Sequence, residues 1–223
     1  MFAGKIKSSG RIFVKICGIT NEADALAAIE AGADALGFNL VHGSKRWIDI
    51  DKAAGWIRKL PNEICKVAVV ADPNWEDACR INQLSFIDTL QLHGNESPEF
   101  CRRLAEAGAR FAKALPVRDA DSLRNVPDYF TDTFVLDSAG NLGFGGSGQV
   151  FPWKFAARFI RARKDLSIIL AGGLNVQNVA QAVELLRPQG VDVTSGVESS
   201  PGSKDHALMK RFVEAARSLR PKI

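Results

Sequence analysis

The sequence predicts an α/β protein with a single (β/α)8 TIM barrel, and three observations carry that expectation. Short β-branched or aromatic runs alternate with longer amphipathic stretches, and eight such pairs can be counted. The pairs fill the chain from residue 11 to 223 with no Pro- or Ser-rich linker, so there is no room for a second domain. The competing architecture, a doubly wound open sheet, lacks its dinucleotide fingerprint, because Cys17-Gly18-Ile19-Thr20 after the first strand offers one glycine rather than three.

The strand candidates are Ile12 to Cys17, Ala35 to Asn39, Lys66 to Ala71, Thr89 to His93, Phe111 to Leu115, Thr133 to Asp137, Ser167 to Ala171 and Val191 to Thr194. Each has the length of a buried parallel strand. Helix starts are signalled by Thr20 before Asn21, by Asp72-Pro73 before Asn74, and by Ser97-Pro98 before Glu99, each a capping oxygen at or beside a proline or polar turn. Gly32 and Gly108 stand where left-handed helix ends are expected, and Leu208, Phe212, Ala215 and Leu219 form an apolar stripe on the last helix. Residues 1–10 form an N-terminal extension with no readable role.

With 46% hydrophobic and 24% charged residues, the chain has a globular composition and not a disordered one. Its 29 basic and 25 acidic residues are scattered, so nothing asks for nucleic acid. No apolar run is long enough for a membrane span and no signal-peptide apolar region follows Met1, which makes a cytoplasmic protein the expectation. Cys17, Cys65, Cys79 and Cys101 form no Cys-x-x-Cys pair, and His42, His93 and His206 lie far apart, so neither a disulfide framework nor a metal site is expected.

In a barrel the site lies where strands end and helices begin. Two glycine-bearing segments close the seventh and eighth strands, Ala171-Gly172-Gly173-Leu174 and Ser195-Gly196-Val197-Glu198. Their backbone N–H groups suit a phosphate dianion, although either segment alone would serve equally as a tight turn. Cys17 ends the first strand just before a helix N-terminus that favours thiolate over thiol; a small, inert buried cysteine is the competing reading. Asp137 ends the sixth strand after Phe134-Val135-Leu136, a run that solvates a carboxylate poorly and suits it to donate a proton, with a helix cap as the alternative. Together a thiol base and a carboxylic acid at one barrel mouth are equipped to move a proton between carbon and oxygen. Lys15 shares the pleat parity of Cys17 and would need a partner inside the barrel. Gln91 and His93 share a parity at the end of the fourth strand, where a lone histidine is more often structural than catalytic. The glycine-rich stretch from Ala139 to Val150 reads as a lid.

With these residues in view, the chain resembles the phosphoribosylanthranilate isomerases, members of the ribulose-phosphate-binding barrels, over nearly its whole length from about Arg11. The resemblance rests on Lys15-Ile16-Cys17-Gly18-Ile19-Thr20, Gln91-Leu92-His93-Gly94, Gly145-Gly146-Ser147-Gly148, Ala171-Gly172-Gly173-Leu174 and Val191-Asp192-Val193-Thr194-Ser195-Gly196-Val197-Glu198. It implies an intramolecular oxidoreductase of tryptophan biosynthesis, an aldose–ketose isomerase. The reaction is the Amadori rearrangement of N-(5-phosphoribosyl)anthranilate to 1-(2-carboxyphenylamino)-1-deoxyribulose 5-phosphate, without a cofactor. The family's general base falls on Cys17, its general acid on Asp137, and the arginine that holds the anthranilate carboxylate on Arg46. Substrate contacts are implied at His93, Gly145, Gly146, Gly172, Gly173, Ser195 and Gly196. The implied partner is a small phosphorylated molecule, with no nucleic acid and no membrane, and the protein would act as a monomer or homodimer. The chain departs from the family at Ser44-Lys45-Arg46, where Ser-Pro-Arg is usual, at Ser147, where threonine is common, and at Phe151-Pro152-Trp153, where Phe-Asp-Trp is usual. Another phosphosugar-binding barrel isomerase or synthase, or a non-catalytic phosphosugar-binding barrel, would share the phosphate loops without requiring Cys17 and Asp137 together.

Overall fold

The computed structural model describes residues 6, 11–119, 121–123, 126–138 and 153–218. Eight parallel strands close into a barrel in sequence order: β1 (Phe13–Cys17), β2 (Ala35–Asn39), β3 (Cys65–Val70), β4 (Thr89–Leu92), β5 (Phe111–Val117), β6 (Thr133–Ser138), β7 (Ser167–Leu170) and β8 (Gly190–Val193). Every expected strand is present, with ends displaced by two residues at most. The barrel closes where β1 meets β8, Lys15 facing Asp192 and Ile16 facing Val193.

All residues of β1, β3, β4, β7 and β8 are buried, because helices cover the outside of the barrel and side chains fill the inside. The strand period of two shows in which core each residue joins. Phe13 and Cys17 enter the barrel interior with Cys65, Val67, Val135 and Ile169, while Val14 and Ile16 pack outward under the helices. Ile6 joins the interior cluster as well, so the N-terminal segment contributes a core side chain that its sequence did not announce. Fully burying a side chain of this size stabilises by roughly 1.5–3 kcal/mol.

Seven α-helices follow the strands: α1 (Glu22–Glu30), α2 (Ile50–Ile57), α3 (Trp75–Asn82), α4 (Pro98–Glu106), α5 (Trp153–Ala162), α6 (Val179–Leu186) and α7 (His206–Arg217). The eight expected strand–helix pairs are therefore seven among the described residues. After β5 the chain makes only 3-10 turns, Asp121–Leu123 and Val126–Tyr129. There Ser122 donates to the Asp119 carboxylate through both N–H and hydroxyl, and its Oγ accepts from the Arg118 and Asp119 N–H groups, a local bonding pattern that favours a turn over a helix.

Ser97 caps α4 and Pro98 takes its first position, as expected, and Gly32 and Gly108 adopt left-handed φ of 94° and 75° at helix ends. Two expected caps move by one or two residues. Asn21, not Thr20, accepts from the Asp24 N–H to cap α1, because the Thr20 hydroxyl donates to the distant Gly202 carbonyl at 2.7 Å. Asn74, not Asp72, caps α3; Asp72 instead accepts from the Asn95 N–H. The buried face of α7 runs through Met209, Phe212, Val213 and Ala216, rotated from the expected stripe, whose Leu208 and Ala215 are only partly buried. Leu219 lies outside the described residues. Between β8 and α7 a small antiparallel hairpin forms, β9 (Glu198–Ser200) with β10 (Ser203–Lys204).

Candidate active site

A cleft of about 810 Å³ opens at the ends of the barrel strands, bordered by Cys17, Arg46, His93, Asp137, Gly172, Gly173 and Ser195. Going round the barrel, only β7 and β8, which carry the glycine loops, separate β6 from β1 on one side, while β2 to β5 separate them on the other. Cys17 and Asp137 thus stand on different walls with the glycine loops between them.

Cys17 terminates β1 opposite Gly37 of β2. A Cβ on Gly37 would lie 2.6 Å from the Cys17 sulfur, so only glycine leaves room for the thiol. Lys15, fully buried, turns to the same interior and pairs at 2.9 Å with Asp192, the residue that faces it in the β1–β8 register. Burial alone would drive off its proton, but Asp192 and the neighbouring Cys17 outweigh that penalty and hold Lys15 above its ordinary range. Arg46 reaches across the mouth to grip Glu198 with Nε and Nη2, at 2.8 and 2.7 Å. Glu198 also accepts from Lys204 at 3.0 Å. Burial pushes the Glu198 carboxyl up, yet the hydrogen bonds and charges of Arg46 and Lys204 prevail and bring it below its ordinary range. Burial dominates for Lys204, whose ammonium is pushed down despite Glu198. Arg46 itself is raised by its bonds to Glu198. The Nε/Nη2 edge of Arg46 is thus engaged by a protein carboxylate, while Nη1 makes no hydrogen bond among the described residues. Ser44 fixes this turn, its hydroxyl oxygen accepting from the Arg46 N–H and from the Asn39 side-chain amide.

Asp137 stands near the end of β6, with Oδ2 at 3.1 Å from His93 Nε2. His93 Nδ1 in turn lies 3.0 Å from the Gln91 amide nitrogen. Asp137 Oδ1 and Gln91 Oε1 are buried and have no hydrogen-bond partner among the described residues. His93 borders the cleft and also touches Asp137, which sequence position alone did not indicate.

Gly172 and Gly173 adopt left-handed φ of 81° and 68°, closed to most other residues, and their N–H groups make no backbone hydrogen bond among the described residues. Asn178 fastens the turn by donating to the Gly173 carbonyl and accepting from the Asn175 N–H, both at 2.9 Å. Ser195 opens a 3-10 turn, Ser195–Val197. A Cβ on Gly196 would fall 2.0 Å from the Leu174 carbonyl oxygen, so Gly196 lets the two loops touch and does not itself border the cleft. Gly145, Gly146, Ser147, the expected lid and the Phe151-Pro152 departure lie outside the described residues. Asp192, Glu198, Lys204 and Gly37 were not singled out as site residues by sequence reasoning. Only the alternation in Val191-Asp192-Val193, beside that of Lys15 and Cys17, could have pointed to Asp192. Among the described residues, no three His, Cys, Asp or Glu side chains are placed to hold a metal ion.

A family model described as N-(5'phosphoribosyl)anthranilate (PRA) isomerase matches residues 14–215. The chain is 44% identical over 206 residues to the N-(5'-phosphoribosyl)anthranilate isomerase of Geobacter sp. (strain M21), a match covering 92% of this chain and 98% of that protein. It is similar to the crystal structure of phosphoribosyl anthranilate isomerase from Thermotoga maritima, with a TM-score of 0.84 and 37% identity over 93% of this chain and 100% of that one. A crystal structure of phosphoribosyl anthranilate isomerase in complex with reduced 1-(o-carboxyphenylamino)-1-deoxyribulose 5-phosphate matches with a TM-score of 0.80 and 35% identity, again over 93% and 100% of the two chains.

Proposed function

The chain belongs to the N-(5'-phosphoribosyl)anthranilate isomerase family, aldose–ketose isomerases of tryptophan biosynthesis, and from that premise we propose that Asp137 and Cys17 are the acid and base of its Amadori rearrangement. The observation that carries this reading is that both border one cleft, on opposite sides of two glycine loops. Asp137 donates a proton to the ribose ring oxygen; the C1–O bond breaks, and the nitrogen lone pair closes a C1=N iminium. Cys17 as thiolate then takes the proton from C2, and the released electron pair gives an enolamine. Loss of the O2 proton and protonation of C1 yield the 2-ketose, so hydrogen is relocated with none gained or lost. The sequence of steps uses no cofactor.

Charge supports the base assignment. Cys17 lies within electrostatic reach of Lys15, Arg46 and Lys204, and each of these is held in place by Asp192 or Glu198. The N–H groups of Gly172, Gly173 and Ser195 would take the phosphate, whose binding orients the sugar far from the bonds that change. Nη1 and the second N–H of Nη2 of Arg46, its guanidinium held still by Glu198, are the donors left for the anthranilate carboxylate. Every residue in this scheme comes from one chain, so a monomer and a homodimer both present a complete site to the small phosphorylated substrate. Cys17, Cys65, Cys79 and Cys101 are all free thiols, as suits a reducing cytoplasm, and among the described residues no helix is long and apolar enough to cross a membrane. A steady-state fluorescence assay on N-(5-phosphoribosyl)anthranilate tests the reading. Enzyme-dependent turnover is expected, and binding without turnover would leave a non-catalytic phosphosugar-binding barrel.

A further inference from the structure

The substrate carries an aromatic ring, and the cleft offers few flat surfaces to receive one. Among the described residues that line it there is no Phe, Tyr or Trp, and the only rings with a π face are His42 and His93. His93 is tied at both ring nitrogens, to Asp137 and to Gln91. His42 instead stacks on Trp47, with centroids 5.3 Å apart and planes inclined by 30°, within the range of favourable aromatic pairs. Trp47 does not border the cleft, and with 41% of its surface exposed the pair is not a core contact. We propose that His42 is the surface on which the anthranilate ring of the substrate stacks, and that Trp47 is a positioning residue for His42. The proposal deepens the reading above and rests on Arg46 meeting the anthranilate carboxylate.

The order of groups around the barrel matches the order of groups along the substrate. The glycine loops follow β7 and β8, Cys17 ends β1, and His42 and Arg46 share the loop after β2; β8, β1 and β2 are successive neighbours. The substrate runs likewise from phosphate through the sugar carbons to the nitrogen and its aryl group. A ring whose carboxylate meets the free N–H groups of Arg46 is therefore brought to the loop that carries His42 four residues earlier. That loop is held by its own hydrogen bonds. Asn39 accepts from the Val41 N–H at 2.9 Å and donates to Ser44 Oγ at 3.1 Å, while the Ser44 N–H bonds the Val41 carbonyl at 3.1 Å. The Trp47 N–H bonds the Ser44 carbonyl at 3.0 Å and the Ile48 N–H returns to the Asn39 carbonyl at 2.9 Å. With both ends tied, Trp47 presents His42 in one place, and a ring fixed before the ligand arrives loses little freedom on binding.

Calorimetry on the full chain with three ligands separates the contributions: reduced 1-(o-carboxyphenylamino)-1-deoxyribulose 5-phosphate, its phenyl counterpart without the carboxylate, and a counterpart with methyl in place of the aryl group. His42→Ala, a change at an exposed position, should weaken both aryl ligands by roughly three- to tenfold and the methyl ligand by less than about twofold. His42→Phe keeps a flat ring and should hold both aryl affinities within about twofold of wild type. Trp47→Ala should weaken the aryl ligands by about threefold, and in the His42→Ala background it should cost nothing more, since it acts through that ring. Aryl affinities unchanged in His42→Ala, or an equal loss for the methyl ligand, would overturn the stacking role. A Trp47→Ala loss that persists without His42 would overturn the positioning role. Arg46→Ala weakening both aryl ligands equally would instead dismiss the carboxylate contact while leaving the His42 result standing, so the two failures are distinguishable.

Discussion

At the end of β1, Cys17 stands among three cations and two carboxylates, whereas at the end of β6 Asp137 meets an imidazole backed by an amide. The first wall is built of ion pairs and the second of a chain of a carboxylate, an imidazole and an amide. In the proposed reaction the first wall would serve a group that works as an anion, which nearby cations favour, and the second a group that gives up a proton. One buried ion pair does lie behind the acid wall, Lys113 with Glu96 at 2.8 Å, but Lys113 spends its remaining bonds on backbone carbonyls and Glu96 accepts from the Asp72 and Gly94 N–H groups. It fastens the β4 loop instead of facing the acid.

The contrast breaks most visibly at the foundation of the charged wall. Lys15→Met leaves Asp192 as an unpaired buried carboxylate and should lower stability by about 3–5 kcal/mol in denaturant unfolding, with Lys15→Met/Asp192→Leu recovering much of it. A loss under about 1 kcal/mol in the single variant would mean that this pair does not hold up the wall. Next come the chemical groups: Cys17→Ala and Asp137→Asn should each reduce kcat by about 10² or more, and turnover within twofold of wild type would dismiss the residue concerned. Arg46→Ala should weaken a product analogue by roughly 30-fold, about 2 kcal/mol, and inorganic phosphate hardly at all, as measured by calorimetry. Equal losses for both ligands would place Arg46 on the phosphate or the scaffold. The smallest effect is on pH. Glu198 is held below its ordinary carboxylate range, so its contribution is present above that range and lost as pH falls through its lowered folded value. Glu198→Gln should remove that part of the acid-side loss in thermal melts, and an unchanged acid limb would count against the Arg46–Glu198 cluster.

The eight strands could be read from the sequence because a strand buried on both faces is a short apolar run bounded by polar turns, as Ser167–Leu170 shows. Cys17 and Asp137 could be read for a related reason, since a polar residue that ends such a run stands at the mouth. What stayed hidden depends on register and on distant contacts. Asp192 becomes the partner of Lys15 only because β1 and β8 pair with those two residues opposite. Thr20 has the chemistry of a cap, yet a carbonyl at Gly202 claims its hydroxyl. The missing helix after β5 followed from a Ser122–Asp119 turn that amphipathic spacing does not weigh. At Gly37 and Gly196 the sequence shows a glycine but not the sulfur or the carbonyl pressed against it.

The charged wall also has a place in time. Lys15 with Asp192, Arg46 with Glu198, Thr20 with Gly202 and the Lys204 N–H with Asp24 join residues 177, 152, 182 and 180 positions apart. The acid relay joins His93 to Asp137 over 44. Contacts of such long span form only after the intervening chain has been ordered and its closure entropy overcome. During synthesis from the N-terminus, Lys15, Cys17 and Arg46 are among the first site residues to leave the ribosome, yet the partners that fix the two cations, Asp192 and Glu198, arrive with the final strand and the hairpin after it. A nascent chain that has already joined His93 to Asp137 therefore still lacks the ion pairs beside Cys17, and the cleft is complete only at barrel closure.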